Sequence, residues 1–265
     1  MKPDYAAAWA DLRGGVQNRQ MWGRLGWSDV KGRYRRTVFG PFWATLSLGI
    51  FITAISFIWA RLWGAKLETF LPYVTAGMLS WTLIGTLIND GTGVFVGATG
   101  LIRSLNFPYT TLTCALIWRH MILFGHNLVI YVFVVPIMGV PVTWATLLFI
   151  PGLMLVCLNA VWVATLFGLI SARFRDVPLL ISTILNVLMF VTPIFWTYDQ
   201  LKGRTGVVLI KGNILLHFVE ILRMPMLGQV PTWYSIGVVL CTTVAGWALT
   251  FHLFACYRRR LPYWL

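Results

Sequence analysis

The chain of 265 residues is 58% hydrophobic and only 11% charged, where soluble domains carry about 25% charged residues. That balance excludes an ordinary soluble enzyme and describes an all-α membrane protein whose helices and short connections use nearly the whole length. The formal net charge of +13 would suggest nucleic acid in a soluble protein. Here it reads as Lys and Arg at helix ends that set topology and touch anionic head groups, so no nucleic-acid partner is expected.

Residues 1–36 read as a cytoplasmic interface segment. MKPDYAAAWADLRGG carries acids and no apolar run, unlike a cleavable signal peptide. Tyr5, Trp9, Leu12 and Val16 repeat at i, i+4, i+7 and i+11, one face of an amphipathic helix lying in the membrane interface. Gly14–Gly15 are expected to weaken it and break it in two.

Six spans fill residues 37–257. The first runs from Val38 to Ala60 and the second from Phe70 to Ile88. From His120 to Ala172 there is no Asp, Glu, Lys or Arg. That stretch is too long for one span and is interrupted by Gly139 and Pro141, so it divides into helices at Met121–Val140 and Trp144–Ser171. The fifth span, Val177 to Tyr198, contains Pro193, which should kink or break it near its outer end. The sixth runs from Trp233 to Tyr257, and 258–265 form a cytoplasmic tail. Between the last two spans, Asn213 to Arg223 is apolar yet too short to cross and reads as a short re-entrant segment. Fifteen Lys and Arg fall on the side of both termini and six on the other, which predicts cytoplasmic termini.

Reactive chemistry is sparse. Cys114, Cys157, Cys241 and Cys256 lack CxxC spacing, which argues against disulfides and zinc. His120, His126, His217 and His252 are scattered and read as packing residues; His217 and Glu220 lie one turn apart but lack a third metal ligand. Gly91 to Gly97 is glycine-rich without the Lys and Ser/Thr of a phosphate-cradling loop, so it reads as helix packing. No catalytic or metal site is expected, and any energy source must lie in another chain.

Four patterns in chain order resemble permease subunits of polysaccharide exporters of the ABC-2 type. They are Arg33-Tyr-Arg-Arg-Thr-Val-Phe-Gly-Pro-Phe-Trp43; Leu101-Ile-Arg-Ser-Leu-Asn-Phe-Pro108; Arg173-Phe-Arg-Asp176 with Thr192-Pro-Ile-Phe-Trp196; and His217-Phe-Val-Glu220 through Arg223-Met-Pro225 to the tail Tyr257-Arg-Arg-Arg-Leu-Pro-Tyr-Trp-Leu265. One departure is Asn213–Ile214, where the family pattern expects Asn-Pro. The resemblance implies a homodimer in the bacterial cytoplasmic membrane, with no cofactor of its own. It further implies two copies of a separate ATPase that binds ATP and magnesium. The implied substrate is a polyprenyl-linked glycan such as O-antigen, capsule or teichoic acid. Competing readings are a membrane enzyme acting on polyprenyl-phosphate sugars, which needs an acidic cluster that Asp90, Asp176 and Asp199 do not obviously form, and an ABC-2 permease for small hydrophobic compounds.

Within that resemblance, Arg33, Arg35 and Arg36 are candidates for the substrate pyrophosphate, set against lipid head-group contact and topology. Phe42, Trp43, Phe51, Phe57 and Trp59 on the first span, with Phe190, Phe195 and Trp196 on the fifth, offer surfaces for sugar rings. Trp59 and Trp196 fit an interface belt, leaving Trp43, Phe51 and Phe190 as candidates to line the path. The segment Gly97 to Pro108 mixes Leu101, Leu105 and Phe107 with Arg103 and is expected to dock on the ATPase and carry its motion, against the view that it lies in lipid.

Overall fold

A computed structural model describes residues 3–35, 37–40, 42–197 and 211–265. Among them the secondary structure is helical: α1 (Tyr5–Gln17), α2 (Arg19–Arg33), α3 (Phe42–Trp63), α4 (Leu67–Thr92), α5 (Thr99–Ser104), α6 (Thr110–Met138), α7 (Phe149–Arg173), α8 (Val177–Val191), α9 (Ile214–Met226), α10 (Trp233–Tyr257) and α11 (Leu261–Trp264).

Five runs are long and apolar enough to cross a membrane: α3, α4, α6, Trp144–Arg173 and Trp233–Trp264. The predicted fifth span differs. Its helix, α8, stops after 15 residues at Val191, about 22 Å at 1.5 Å per residue and short of a hydrocarbon core of about 30 Å. Thr192 is extended, with φ −74° and ψ 132°, because the ring of Pro193 disfavours helical geometry in the residue before it. The expected break is present.

The sequence places the third span from Met121, just past Arg119, the last charge before the uncharged stretch. In the structure α6 begins at Thr110 and carries Arg119 and His120 within the helix. Their polarity is met by Asp29 and Asp90, so they need not leave the bundle. At the other end Gly139 adopts φ +65° and caps α6, the left-handed conformation that glycine supplies without strain. A 3₁₀ turn over Trp144–Leu148 then opens α7.

α4 is the central helix, packed against α3, α6, α7, α8 and α9. It supplies much of the main core, including Phe70, Val74, Leu79, Trp81, Ile84 and Leu87. By contrast α3 and α8 are thinly covered: Leu46, Ile50, Phe57 and Leu62 on α3 are exposed, as are Leu179, Leu180 and Val187 on α8. α9 lies within the protein against α4, α7 and α10, with Leu216 to Arg223 buried.

Gly14–Gly15 do not break α1, which runs unbroken from Tyr5 to Gln17; the chain turns at Asn18 instead. The reason is packing. A Cβ on Gly15 would stand 2.6 Å from Cβ of Thr110 and 2.9 Å from the Thr111 nitrogen, so the glycine lets α1 approach α6 at backbone distance. α1 therefore turns its small face, Ala8, Asp11 and Gly15, to the bundle, while Tyr5, Trp9 and Val16 stay exposed.

Asp11 is 2% exposed and binds three segments. It accepts from the backbone N–H groups of Tyr109 and Thr110, at 3.0 and 2.9 Å, and from the Thr110 hydroxyl at 2.8 Å. Arg258 Nε donates to it at 2.7 Å. The carboxylate thus holds α1, the start of α6 and the segment after α10 together. Asp11→Ala leaves buried donors and an arginine without their acceptor, and should cost about 2–4 kcal/mol. Thermal unfolding of the detergent-solubilised chain measures this; Arg13→Ala, at an exposed position on the same helix, should leave stability unchanged.

Candidate functional site

The break after α8 places the candidate path residues. Phe195 is buried just beyond Pro193, and its ring meets Phe51 of α3 edge-on at 6.4 Å and Phe190 of α8 at 6.4 Å. Two of the three aromatics singled out from sequence therefore flank one buried ring. Phe51 is 42% exposed and Phe190 68%, so both present open faces. Trp43, 55% exposed, stands apart at the start of α3 and stacks on Phe39 at 5.8 Å.

The broken backbone carries its own set of partners. Arg223 on α9 is fully buried; its Nη1 donates to the Pro193 carbonyl at 2.6 Å and its guanidinium covers the Tyr73 ring at 4.3 Å. The Tyr73 hydroxyl donates to the carbonyls of Pro193 and Trp196, at 2.9 and 3.2 Å. Asn213 Nδ2 donates to the Thr192 hydroxyl at 2.8 Å and the Asn213 carboxamide oxygen caps α9. These bonds satisfy polar groups that a broken helix would otherwise leave bare in an apolar setting. The sequence places Arg223 at the end of the re-entrant segment and in a family pattern without assigning it a partner; its place within the apolar run ILLHFVEILRMPM is the signal for burial.

Beside it, His217 is buried and satisfied, with Nδ1 2.9 Å from the Ser235 hydroxyl and Nε2 2.9 Å from the Lys211 carbonyl. The Ser235 hydroxyl donates to Glu220 at 2.5 Å. Among the described residues no cluster of three metal-ligating side chains occurs. His217 and Glu220 serve to anchor α9 on α10.

At the basic end, Asp90 near the end of α4 pairs with Arg119 at 2.9 Å and His120 at 3.1 Å, and Arg119 reaches Asp29 of α2 at 3.1 Å. Arg33 Nη2 lies 3.8 Å from Asp90. Arg35 is exposed and Arg36 lies outside the described residues. Arg33 shares a groove of about 910 Å³ with Asp90, Arg119 and Leu101, between α2, α4, α6 and the segment leading into α5. Arg33, from one group selected in the sequence, and Leu101, from another, thus border one groove.

The candidate coupling residues divide. Arg103 and Leu105 are exposed and Leu101 is half-buried. Phe107 is buried among Phe95, Ile102, Leu112, Leu169 and Leu261. The segment therefore has an outward side and an anchoring side, and Phe107 belongs to the anchor. Asp176 is exposed at the start of α8 and Asp199 lies outside the described residues.

The bundle of apolar helices describes a multi-pass membrane protein. Residues 21–227 match the family described as ABC-2 type transporter. The chain belongs to that family, whose members are membrane subunits of transporters. It is 22% identical over 179 residues to the O-antigen export system permease protein RfbA of Myxococcus xanthus, covering 67% of this chain and 68% of that one. A permease protein of the same name from Klebsiella pneumoniae is 18% identical over 230 residues, covering 83% and 87%.

Arg223→Met removes the donor to Pro193 and the cation over Tyr73, and should cost about 1–3 kcal/mol in unfolding free energy. Arg223→Lys keeps the charge without the planar fork and should recover little of that loss. Thermal unfolding of both variants against the parent chain decides it; full recovery by lysine would show that charge alone matters.

Proposed function

We propose that this chain is the membrane subunit of an ATP-driven exporter that moves a lipid-linked polysaccharide outward across the bacterial cytoplasmic membrane. The match to the ABC-2 family over residues 21–227, together with relatives named as O-antigen export permeases, carries this reading. The physical setting agrees with it. A neutral sugar polymer needs open aromatic faces and no fixed intramembrane charge, and Phe51 and Phe190 offer such faces around Phe195. Arg33 and Arg35 then meet the pyrophosphate of the lipid carrier at the basic end, with Arg36 adjoining them in sequence.

In this reading the functional unit is a homodimer with two ATPase subunits, which supply ATP and magnesium chemistry. The exposed apolar faces of α3 and α8 are where the second copy and the glycan path belong, since a lone chain leaves them covered only by lipid. α8 and the stretch 192–197 together make the fifth of six crossings, and α9 dips back from the outer side without traversing. Both termini are cytoplasmic, which puts Leu101, Arg103 and Leu105 on the ATPase side, with Phe107 seating the segment that presents them.

Deletion of the gene should leave lipid-linked glycan trapped inside the cell, and the parent chain should restore surface glycan. Phe51→Ala and Phe190→Ala should lower surface glycan while leaving the assembled complex intact, since neither ring fills a closed core. Phe195→Ala, a buried ring, should cost about 3–5 kcal/mol of stability as well. Restoration of export by both exposed-ring variants at the parental level would remove them from the path. A reporter fused at Leu265 that is active only outside the cytoplasm would overturn the orientation.

A further inference from the structure

Arg258, Arg259 and Arg260 are alike in sequence, yet the fold separates them. Arg258 is held by Asp11 at 2.7 Å and Arg259 by Asp4 at 2.5 Å. Arg260 forms no ion pair with a carboxylate among the described residues. It lines a cavity of about 380 Å³ together with Arg173, where α7 and α10 end.

The chemistry of that cavity changes along its depth. Leu169, Ile170 and Leu253 form its wall about one turn inside the helix ends, and Arg173, Arg260 and Trp264 stand at its rim. The Arg173 guanidinium lies over the rings of Phe174 and Trp264, each at 5.4 Å. With its faces covered, a guanidinium still offers its N–H edge, which suits the fork-like recognition of phosphate. Among the described residues no acidic one lines the cavity, so a cationic head group finds no counter-charge there. α7 and α10 both belong to membrane-crossing runs, which puts the cavity at the boundary of the hydrocarbon, where aromatic residues and snorkelling arginines collect.

We propose that this cavity binds an anionic glycerophospholipid, its phosphate held by Arg173 and Arg260 and an acyl chain laid along Leu169, Ile170 and Leu253. A free phosphate has no use for the apolar wall, and a zwitterionic lipid brings an ammonium group that meets two arginines. The site is separate from the groove that contains Arg33 and does not depend on the identity of the transported substrate. The bound lipid fastens the segment 258–265, whose Leu261 and Leu265 are buried against Leu169 and Ala172, to the end of α7.

The full chain, purified in neutral detergent, is to be offered equal amounts of phosphatidylglycerol and phosphatidylcholine and examined by native mass spectrometry. Phosphatidylglycerol should be retained about tenfold over phosphatidylcholine, and Arg173→Gln and Arg260→Gln should each abolish most of that preference. Arg175→Gln, exposed and outside the cavity, should retain it. Arg260 is exposed at the rim, so its variant stays informative even if Arg173→Gln misfolds. Equal retention of the two lipids, or equal loss in Arg175→Gln, overturns the site. Displacement of the lipid by millimolar inorganic phosphate would mark a free-anion site, and displacement by an equal concentration of polyprenyl pyrophosphate would assign the cavity to substrate; either result overturns the proposal.

Discussion

Backbone carbonyls and amides have no water to turn to inside a bilayer, and the break after Val191 is where this chain meets that constraint. A helix that stops in an apolar setting uncovers carbonyls whose burial costs free energy unless they are paired. Here Pro193 and Trp196 find Tyr73 on α4 and Arg223 on α9, and Thr192 finds Asn213. The partners come from separate elements, so the break is held by the same contacts that hold α9 against α4. Remove the break and Arg223 loses its acceptor; remove α9 and the break keeps only Tyr73 as a donor to its carbonyls. The position of Phe195, and through it the neighbourhood of Phe51 and Phe190, depends on this mutual arrangement.

The opposite end is organised by carboxylates. Of the few acids in the chain, Asp11 and Asp90 each collect several partners: Asp11 gathers two amides, a hydroxyl and Arg258, and Asp90 gathers Arg119, His120 and Arg33. In a chain with a large basic excess, buried Asp11 and half-buried Asp90 neutralise cations that would otherwise have to leave the bundle. That is why α6 continues helically through Arg119 and His120. It is also why α1 lies against α6 through a carboxylate and a glycine, with its aromatic face turned outward for the interface.

Much of the architecture was legible in the sequence. Apolar length located the helices, Gly139 and Pro141 divided the longest stretch, and Pro193 marked the break, because each acts locally through backbone geometry. The periodicity of Tyr5, Trp9, Leu12 and Val16 found α1. What local reasoning missed were interactions between residues far apart in the chain. Asp11 looked like one polar residue on an exposed face, and its partners lie about a hundred and about two hundred and fifty positions away. Gly14–Gly15 looked like a weak point because propensity counts entropy alone, whereas the structure uses Gly15 for close approach to Thr110. Arg223 looked like a topology charge because hydropathy cannot tell a loop cation from one sealed under Tyr73.

The distribution of packing divides the molecule into a firm part and an open part. α4, α6, α7, α9 and α10 enclose the core, while α3 and α8 leave broad apolar faces uncovered. In a transporter, the elements that shift must exchange contacts at small cost, and thinly packed helices do so more readily than a close-packed core. The break after α8 is tied to the firm part through Tyr73 and Arg223, so that helix has one fixed end and a lightly held body. α3 touches the same point through Phe51. The frame that satisfies the polar groups is thereby kept apart from the uncovered apolar faces of α3 and α8.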